Sequence, residues 1–204
     1  MFTGLIETLG TVRQAAGGDG TASTQLTIAT HLAPVLKPGD SVAVNGVCLT
    51  VARRLEDAIA FDVSLETHRM TALYALQPGS LVNLERPLQA SGSIGGHFVQ
   101  GHIDATGILR SIVPEGDFWR LQVGYPGALA PFLVMKGSIA VDGISLTIAR
   151  LNDHDFEVVI VPFTWEHTNL HAVRPPVPVN LECDILGKYV QRFLACARTP
   201  IMPS

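Results

Sequence analysis

The chain has 204 residues, a net charge of −4, and 47% hydrophobic against 16% charged residues. That balance supplies an ample core and excludes a disordered chain. With mild acidity and no block of Lys or Arg, it also disfavours nucleic acid and anionic membranes as partners.

The opening MFTGLIETLG has neither a basic n-region nor an apolar h-region and does not read as a signal peptide. No apolar run reaches the roughly 18 residues of a membrane span. Phe2 to Val12, short, apolar and rich in Thr and Ile, reads as a first strand ending in the turn-rich AAGGDG. Gln25 to Thr30 reads as the returning strand. A K-P-G-D turn then opens SVAVNGVCLTV, Ser41 to Val51, which the chain writes again 97 residues later as SIAVDGISLTI, Ser138 to Ile148. Six of the eleven positions are identical, and the same offset pairs Gly4 with Gly101, Thr71 with Thr168, and Asn83-Leu84-Glu85 with Asn180-Leu181-Glu182. A register held that long marks a duplicated domain.

Ala58 to Ser64 is a further strand, and Q-P-G-S introduces Leu81 to Arg86. Short β-branched runs between Gly, Pro and Asp clusters indicate an all-β sandwich or barrel. About six strands per copy favour closure, which removes exposed edges. SGSIGGH, residues 91–97, is the junction. The second copy begins FVQGHIDATGIL and turns at P-E-G-D, at Met135-Lys136-Gly137 and at N-D-H-D, with PPVP in place of Q-P-G-S. From Asp184 to Arg198 the apolar residues Leu186, Tyr189, Val190, Phe193, Leu194 and Ala197 fall on one helical face, with Asp184 placed as N-cap. A lone helix of that length is marginal in water, so the stripe packs on its own barrel or forms a seam in a homo-oligomer. The expected units are residues 1–97, 98–183 and 184–204.

Three cysteines, Cys48, Cys183 and Cys196, without a C-x-x-C pair suggest free thiols in a reducing cytoplasm. Cys48 sits in a β-branched strand and taken alone reads more readily as a small buried hydrophobe than as a nucleophile; its repeat partner Ser145, another small polarisable donor, shifts the balance towards chemistry. His97 and His102 flank what reads as a short strand and, five apart, face opposite sides, so no metal site is expected. His102 replaces Leu5 of the first copy and is either a surface histidine or a proton carrier. Lys136 stands opposite Gly39, and Glu66 opposite Phe163, as turn charges or as ligands for a polyhydroxylated molecule. Thr50 with Thr147, and Thr67 with Thr164, set equivalent hydroxyls in both halves, for β-propensity or for reading a heterocycle's amide edge. The glycine clusters are not phosphate loops, and no Ser-His-acid constellation stands out.

MFTGLIE, GDSVAVNGVCLTV, FDVSLET, VNLERPL, GGHFVQGHID, KGSIAVDGISLTI, TNL and VNLECDILGKY follow one another as they do in riboflavin synthases of the alpha-chain type, which the chain resembles from Met1 to about Ala195. The resemblance implies two homologous six-stranded antiparallel Greek-key barrels plus a C-terminal α-helix that trimerises. It implies a four-carbon transfer between two molecules of 6,7-dimethyl-8-ribityllumazine, giving riboflavin and 5-amino-6-ribitylaminopyrimidinedione, with no cofactor. It also places the reacting site between barrels of two subunits, and raises lumazine synthase as an associated protein.

Carried onto this sequence, the resemblance gives a first pocket of Gly4, Leu5, Ile6, Cys48, Leu49, Thr50, Asp62, Val63, Ser64, Leu65, Glu66 and Thr67, joined by Gly101, His102 and Ile103 of a neighbouring subunit. The second pocket takes Lys136, Ser145, Leu146, Thr147, Val159, Ile160, Val161, Pro162, Phe163 and Thr164. His102 and Cys48 are the expected reactive groups, Ser41, Thr147 and Asp184 support proton transfer, and Phe2 caps the cleft. VPFTWEHTNL departs from the family's Pro-His-Thr series, with Phe163 in place of His and Trp165 in place of an aliphatic residue.

Overall fold

A computed structural model of the chain describes residues 1–15 and 24–197; most of the expected AAGGDG turn and the tail from Arg198 onward lie outside these. Twelve strands form two barrels. The first comprises β1 (Thr8–Gln14), β2 (Thr24–Ala29), β3 (Ser41–Val44), β4 (Val47–Arg54), β5 (Ala58–Val63) and β6 (Leu81–Glu85). The second comprises β7 (Ala105–Glu115), β8 (Phe118–Gly124), β9 (Ser138–Val141), β10 (Ile144–Leu151), β11 (Asp155–Ile160) and β12 (Val177–Cys183). Short helices α1 (Leu65–Met70) and α2 (Pro162–His167) follow β5 and β11, and α3 (Ile185–Ala197) ends the described chain.

Each barrel closes in the same antiparallel order, β1-β2-β5-β4-β3-β6 and its counterpart β7-β8-β11-β10-β9-β12. Three hairpin-linked strands with a fourth returning beside the first make a Greek key in each. Even the register shifts repeat: those at Val12/Gln14 and Val51/Arg53 recur at Leu109/Ser111 and Ile148/Arg150. Alternate residues fill the interiors, Leu26, Ile28, Phe61 and Leu84 in the first, Leu121, Val123, Phe156 and Leu181 in the second. Each such side chain contributes about 1.5–3 kcal/mol when fully buried.

The β3–β4 and β9–β10 hairpins close with Asn45-Gly46 and Asp142-Gly143, all four at positive φ, as two-residue hairpins matching strand twist require. The two turns meet back to back: a Cβ on Gly46 would lie 2.7 Å from the Gly143 nitrogen, and the converse holds. Around them Asn83 Nδ2 donates to the Asp142 carbonyl (3.0 Å) and Asn180 Nδ2 to the Asn45 carbonyl (2.8 Å), while the Asn45 and Asp142 side chains accept from the Asn83 and Asn180 N–H groups. This reciprocal network joins the barrels through buried amides. Asp142 stands where the first half has Asn45, and burial pushes its carboxyl up to about 7 against the hydrogen bonds of Asn180 and Asn169.

Two expectations change. The segment before β1 is not a strand; residues 2–7 run as a strap whose one bridge is Phe2 to Val99. The segment between His97 and His102 is likewise a strap, so the alternation argument for these histidines does not apply. In α3, Asp184 caps the first turn through Oδ1, which accepts from the Leu186 N–H at 3.0 Å. The stripe of Leu186, Tyr189, Val190, Phe193 and Leu194 stays exposed, while α3 rests on the second barrel through Gly187 beside Phe132 and Lys188 paired with Asp104. No helix among the described residues is long and apolar enough to cross a membrane.

Candidate active site

The two straps meet as a short antiparallel pair, with Phe2 N–H donating to Val99 O (2.7 Å) and Val99 N–H to Phe2 O (3.1 Å). Each then lies on the other barrel. Ser145 N–H donates to Gly4 O at 2.8 Å, and Cys48 N–H donates to Gly101 O at 2.9 Å. The approach is so close that a Cβ on Gly4 would sit 2.6 Å from Ser145 Cβ, and one on Gly101 2.5 Å from Cys48 Cβ; both glycines also have positive φ, so no other residue fits without strain. Ile6 packs on the second core and Ile103 on the first. The expected grouping changes in part: Gly4, Leu5 and Ile6 accompany Ser145 and not Cys48, while Gly101, His102 and Ile103, expected beside Cys48 from a neighbouring subunit, reach it within the same chain.

The straps are held by two carboxylates that sequence reasoning gave no role. Glu85 accepts from Thr3 N–H (2.6 Å), Thr3 Oγ1 (2.8 Å) and Gly4 N–H (3.0 Å). Its repeat partner Glu182 accepts from the N–H groups of Gln100 (2.7 Å), Gly101 (2.9 Å) and His102 (3.1 Å). Burial raises both carboxyl pKa values, opposed by these same backbone bonds. The signal was in the sequence, as the doubled Asn-Leu-Glu. Within each triplet the Asn ties the barrels together and the Glu fastens a strap.

Beside each strap runs a row of outward-facing residues. Ser41 pairs with Thr50, and one step beyond the Val51–Phe61 pair sets Thr50 beside Asp62. The second row is Ser138, Thr147 and Val159, from the Ser138–Thr147 and Ile148–Val158 pairs. Cys48 is half-buried between Gly101 and Phe2. Phe2, expected to cap the cleft, is 1% exposed and packs between the barrels against Ala43, Val99 and Ala140. Ser41 shares a cleft of about 470 Å³ with Thr3, Leu5, Glu85 and Arg86, within the size range of small-molecule sites.

At the second strap Ser145 Oγ lies 2.7 Å from His97 Nδ1. His97 is 8% exposed, and among the described residues its Nε2 has no hydrogen-bond partner. Burial lowers its pKa while the charge of Asp184 raises it, so the neutral imidazole is favoured as a proton acceptor. A serine and a histidine 48 positions apart in the sequence thus meet here, and the charge of Asp184 acts on the same imidazole.

A family model described as the lumazine binding domain matches residues 3–87 and again 100–184. The riboflavin synthase of Mycobacterium tuberculosis is 42% identical over 204 residues, covering 97% of this chain and 100% of the relative. The chain belongs to the riboflavin synthase family. The riboflavin synthase of Actinobacillus pleuropneumoniae is 41% identical over 95% of this chain and 90% of its own length. Among solved structures, LumP complexed with 6,7-dimethyl-8-(1'-D-ribityl) lumazine superposes with a TM-score of 0.80 at 23% identity, covering 90% of this chain and 99% of LumP; this likeness concerns the fold.

The remaining residues expected from the family sort by their place in the barrels. Leu49, Val63, Leu146 and Ile160 point into the barrel interiors and can offer a ligand only backbone. Thr50, Asp62, Ser64, Glu66, Thr147, Val159, Val161, Pro162 and Phe163 are exposed. Ser64 caps α1, its Oγ accepting from Thr67 N–H at 3.0 Å. Thr71 and Thr168 donate at 2.7 Å to the carbonyls of Thr67 and Thr164, closing α1 and α2 alike. Lys136 is exposed at φ 65°, a left-handed conformation that its counterpart Gly39 adopts freely.

Proposed function

We propose that the chain is a riboflavin synthase, moving a four-carbon unit between two molecules of 6,7-dimethyl-8-ribityllumazine to give riboflavin and 5-amino-6-ribitylaminopyrimidinedione. The observation that carries this reading is one scaffold built twice with unlike reactive groups, Cys48 beneath the His102 strap and Ser145 beside His97. Two identical reactants suit two alike cups, whereas a donor and an acceptor need different chemistry. Fixing both in one geometry replaces a bimolecular encounter, an effect worth up to roughly 7–11 kcal/mol of barrier. Family relatives 41–42% identical along nearly the whole chain support the same activity.

In this reading the barrels of residues 1–97 and 98–183 each take one lumazine, each beneath the strap of the other half. His102 removes a proton from the 7-methyl group, and Cys48, or a water it holds, adds to C7 of the acceptor lumazine. Ser41, Thr147 and Asp184 relay protons, and the Ser145–His97 pair serves the second cup. Two substrate molecules account for every atom of the two products, so the dismutation needs no outside oxidant or reductant. The productive cleft forms between the first barrel of one subunit and the second barrel of another, in a homotrimer whose seam is the exposed stripe of α3, residues 184–204 forming the trimerisation element. Three free cysteines suit the cytoplasm.

Incubating the purified protein with dimethylribityllumazine and separating the products tests this. Riboflavin and the pyrimidine in equal amounts support the proposal. A bound lumazine recovered unchanged would make the chain a non-catalytic binder instead.

A further inference from the structure

The two cups differ most where their outward rows end. In the first barrel the row Ser41–Thr50–Asp62 leads on to Ser64 and Glu66. At the same places the second has Val159, Val161 and Phe163. All six of these terminal positions are exposed, so burial does not explain the change. Three oxygen-bearing side chains able to accept from hydroxyls are replaced by three that can do nothing of the kind.

Phe163 is 70% exposed, yet it is not loose. Its ring stacks on His167, with 4.0 Å between centroids and 16° between planes, and the Nδ1–H of His167 donates to the Phe163 carbonyl at 2.8 Å. The helix that carries both, α2, is anchored by Trp165 stacked on Trp119 of β8 at 4.4 Å and 6°. In α1 the matching position is His68, and that helix is capped by a hydroxyl instead. The second cup therefore presents a braced aromatic ring, mostly open to solvent and flanked by two exposed valines. Such a surface takes a flat heterocycle by stacking. An exposed apolar set is also a recognised mark of a binding face.

We infer that Phe163, with Val159 and Val161, determines specificity at the second cup: this cup holds its ligand by the heterocyclic ring and scarcely reads the polyol chain, whereas the first cup, through Asp62, Ser64 and Glu66, reads both. The inference rests on the proposed lumazine reading. It predicts that the two sites of one chain discriminate differently between lumazines that keep or lack the ribityl group.

The chain itself supplies a site-specific reporter. Both of its tryptophans, Trp119 and Trp165, lie in the second barrel, so their quenching follows occupancy there, while calorimetry counts both cups. The probes are 7-oxo-8-ribityllumazine and 7-oxo-8-methyllumazine, which lack the 7-methyl group and cannot turn over. Exchanging ribityl for methyl should weaken the calorimetric first site by about a hundredfold, as a site built for hydroxyls does when they are missing, but the tryptophan-sensed site by less than about fivefold. Phe163→Ala should weaken the methyl probe at the tryptophan-sensed site by about tenfold. Phe163→His, which restores a polar ring, should raise the preference for ribityl there.

Equal discrimination at both sites, or a Phe163→Ala protein whose tryptophan-sensed affinity is unchanged, would overturn the inference. If riboflavin still forms from dimethylribityllumazine in that case, only this inference falls. If neither probe binds and no riboflavin forms, the enzyme reading falls and takes the inference with it.

Discussion

The two barrels share their strand order, their register shifts, the carboxylate that fastens each strap, and the positive-φ hairpin at the junction. They part at Cys48 and Ser145, at Leu5 and His102, at Glu66 and Phe163, and at Asn45 and Asp142. The shared features are those whose loss would leave buried backbone groups unpaired or force backbone into contact. Three of the four differences sit on exposed or half-buried positions, where a change costs the fold little. Duplication has conserved what holds the cups and altered what they hold.

The comparison can be broken at its reactive ends. Cys48→Ser gives the first cup the second cup's residue, and kcat should fall by about a hundredfold or more with KM little changed, because the group acts mainly in the transition state. Steady-state rates on dimethylribityllumazine measure this; equal losses of binding and rate would count against a reactive Cys48. Glu182→Ala should follow, leaving three backbone N–H groups of the His102 strap without their acceptor. Loss of a buried acceptor on this scale costs on the order of 2–3 kcal/mol in chemical denaturation, and activity should drop with it. Gly101→Ala belongs beside it, since its methyl would collide with Cys48 Cβ.

Asp142 sharpens the comparison through pH. Its folded pKa, about 7, exceeds the ordinary value of 3.8, so the native state binds the proton more tightly than the unfolded chain. That stabilisation is full below about pH 4 and is lost as pH rises towards 7, with a slope of at most about 1.4 kcal/mol per unit. Asp142→Asn, which copies Asn45, should match the parent protein at pH 4 and melt at higher temperature at pH 8. The smallest effect expected is at Lys136. Lys136→Gly relieves a left-handed lysine and should stabilise by about 1 kcal/mol, while weakening lumazine binding in a titration.

Much of this is legible in the amino-acid sequence alone. The offset of 97 residues foretold two like barrels, and the period of Leu186, Tyr189, Val190 and Phe193 foretold α3. Straps escaped notice because Phe2 to Glu7 has the composition of a strand, and only its reciprocal crossing shows that its partners lie in the other half. The resemblance places Gly4 with Cys48 although it lies against Ser145, and the repeat cannot correct this, because it shows which residues are equivalent but not which copy they touch. The Ser145–His97 pair was out of reach because a side-chain contact across 48 residues leaves no periodic trace. Asn45-Gly46 and Asp142-Gly143, by contrast, carried a hairpin signal in plain view.

Because each strap closes the cup of its sister, neither half of this chain is complete by itself. A single barrel of this kind could finish its cup only by trading arms with a second copy. Carrying both copies in one chain leaves each arm free to differ from its twin, and the receptacle has a left hand and a right.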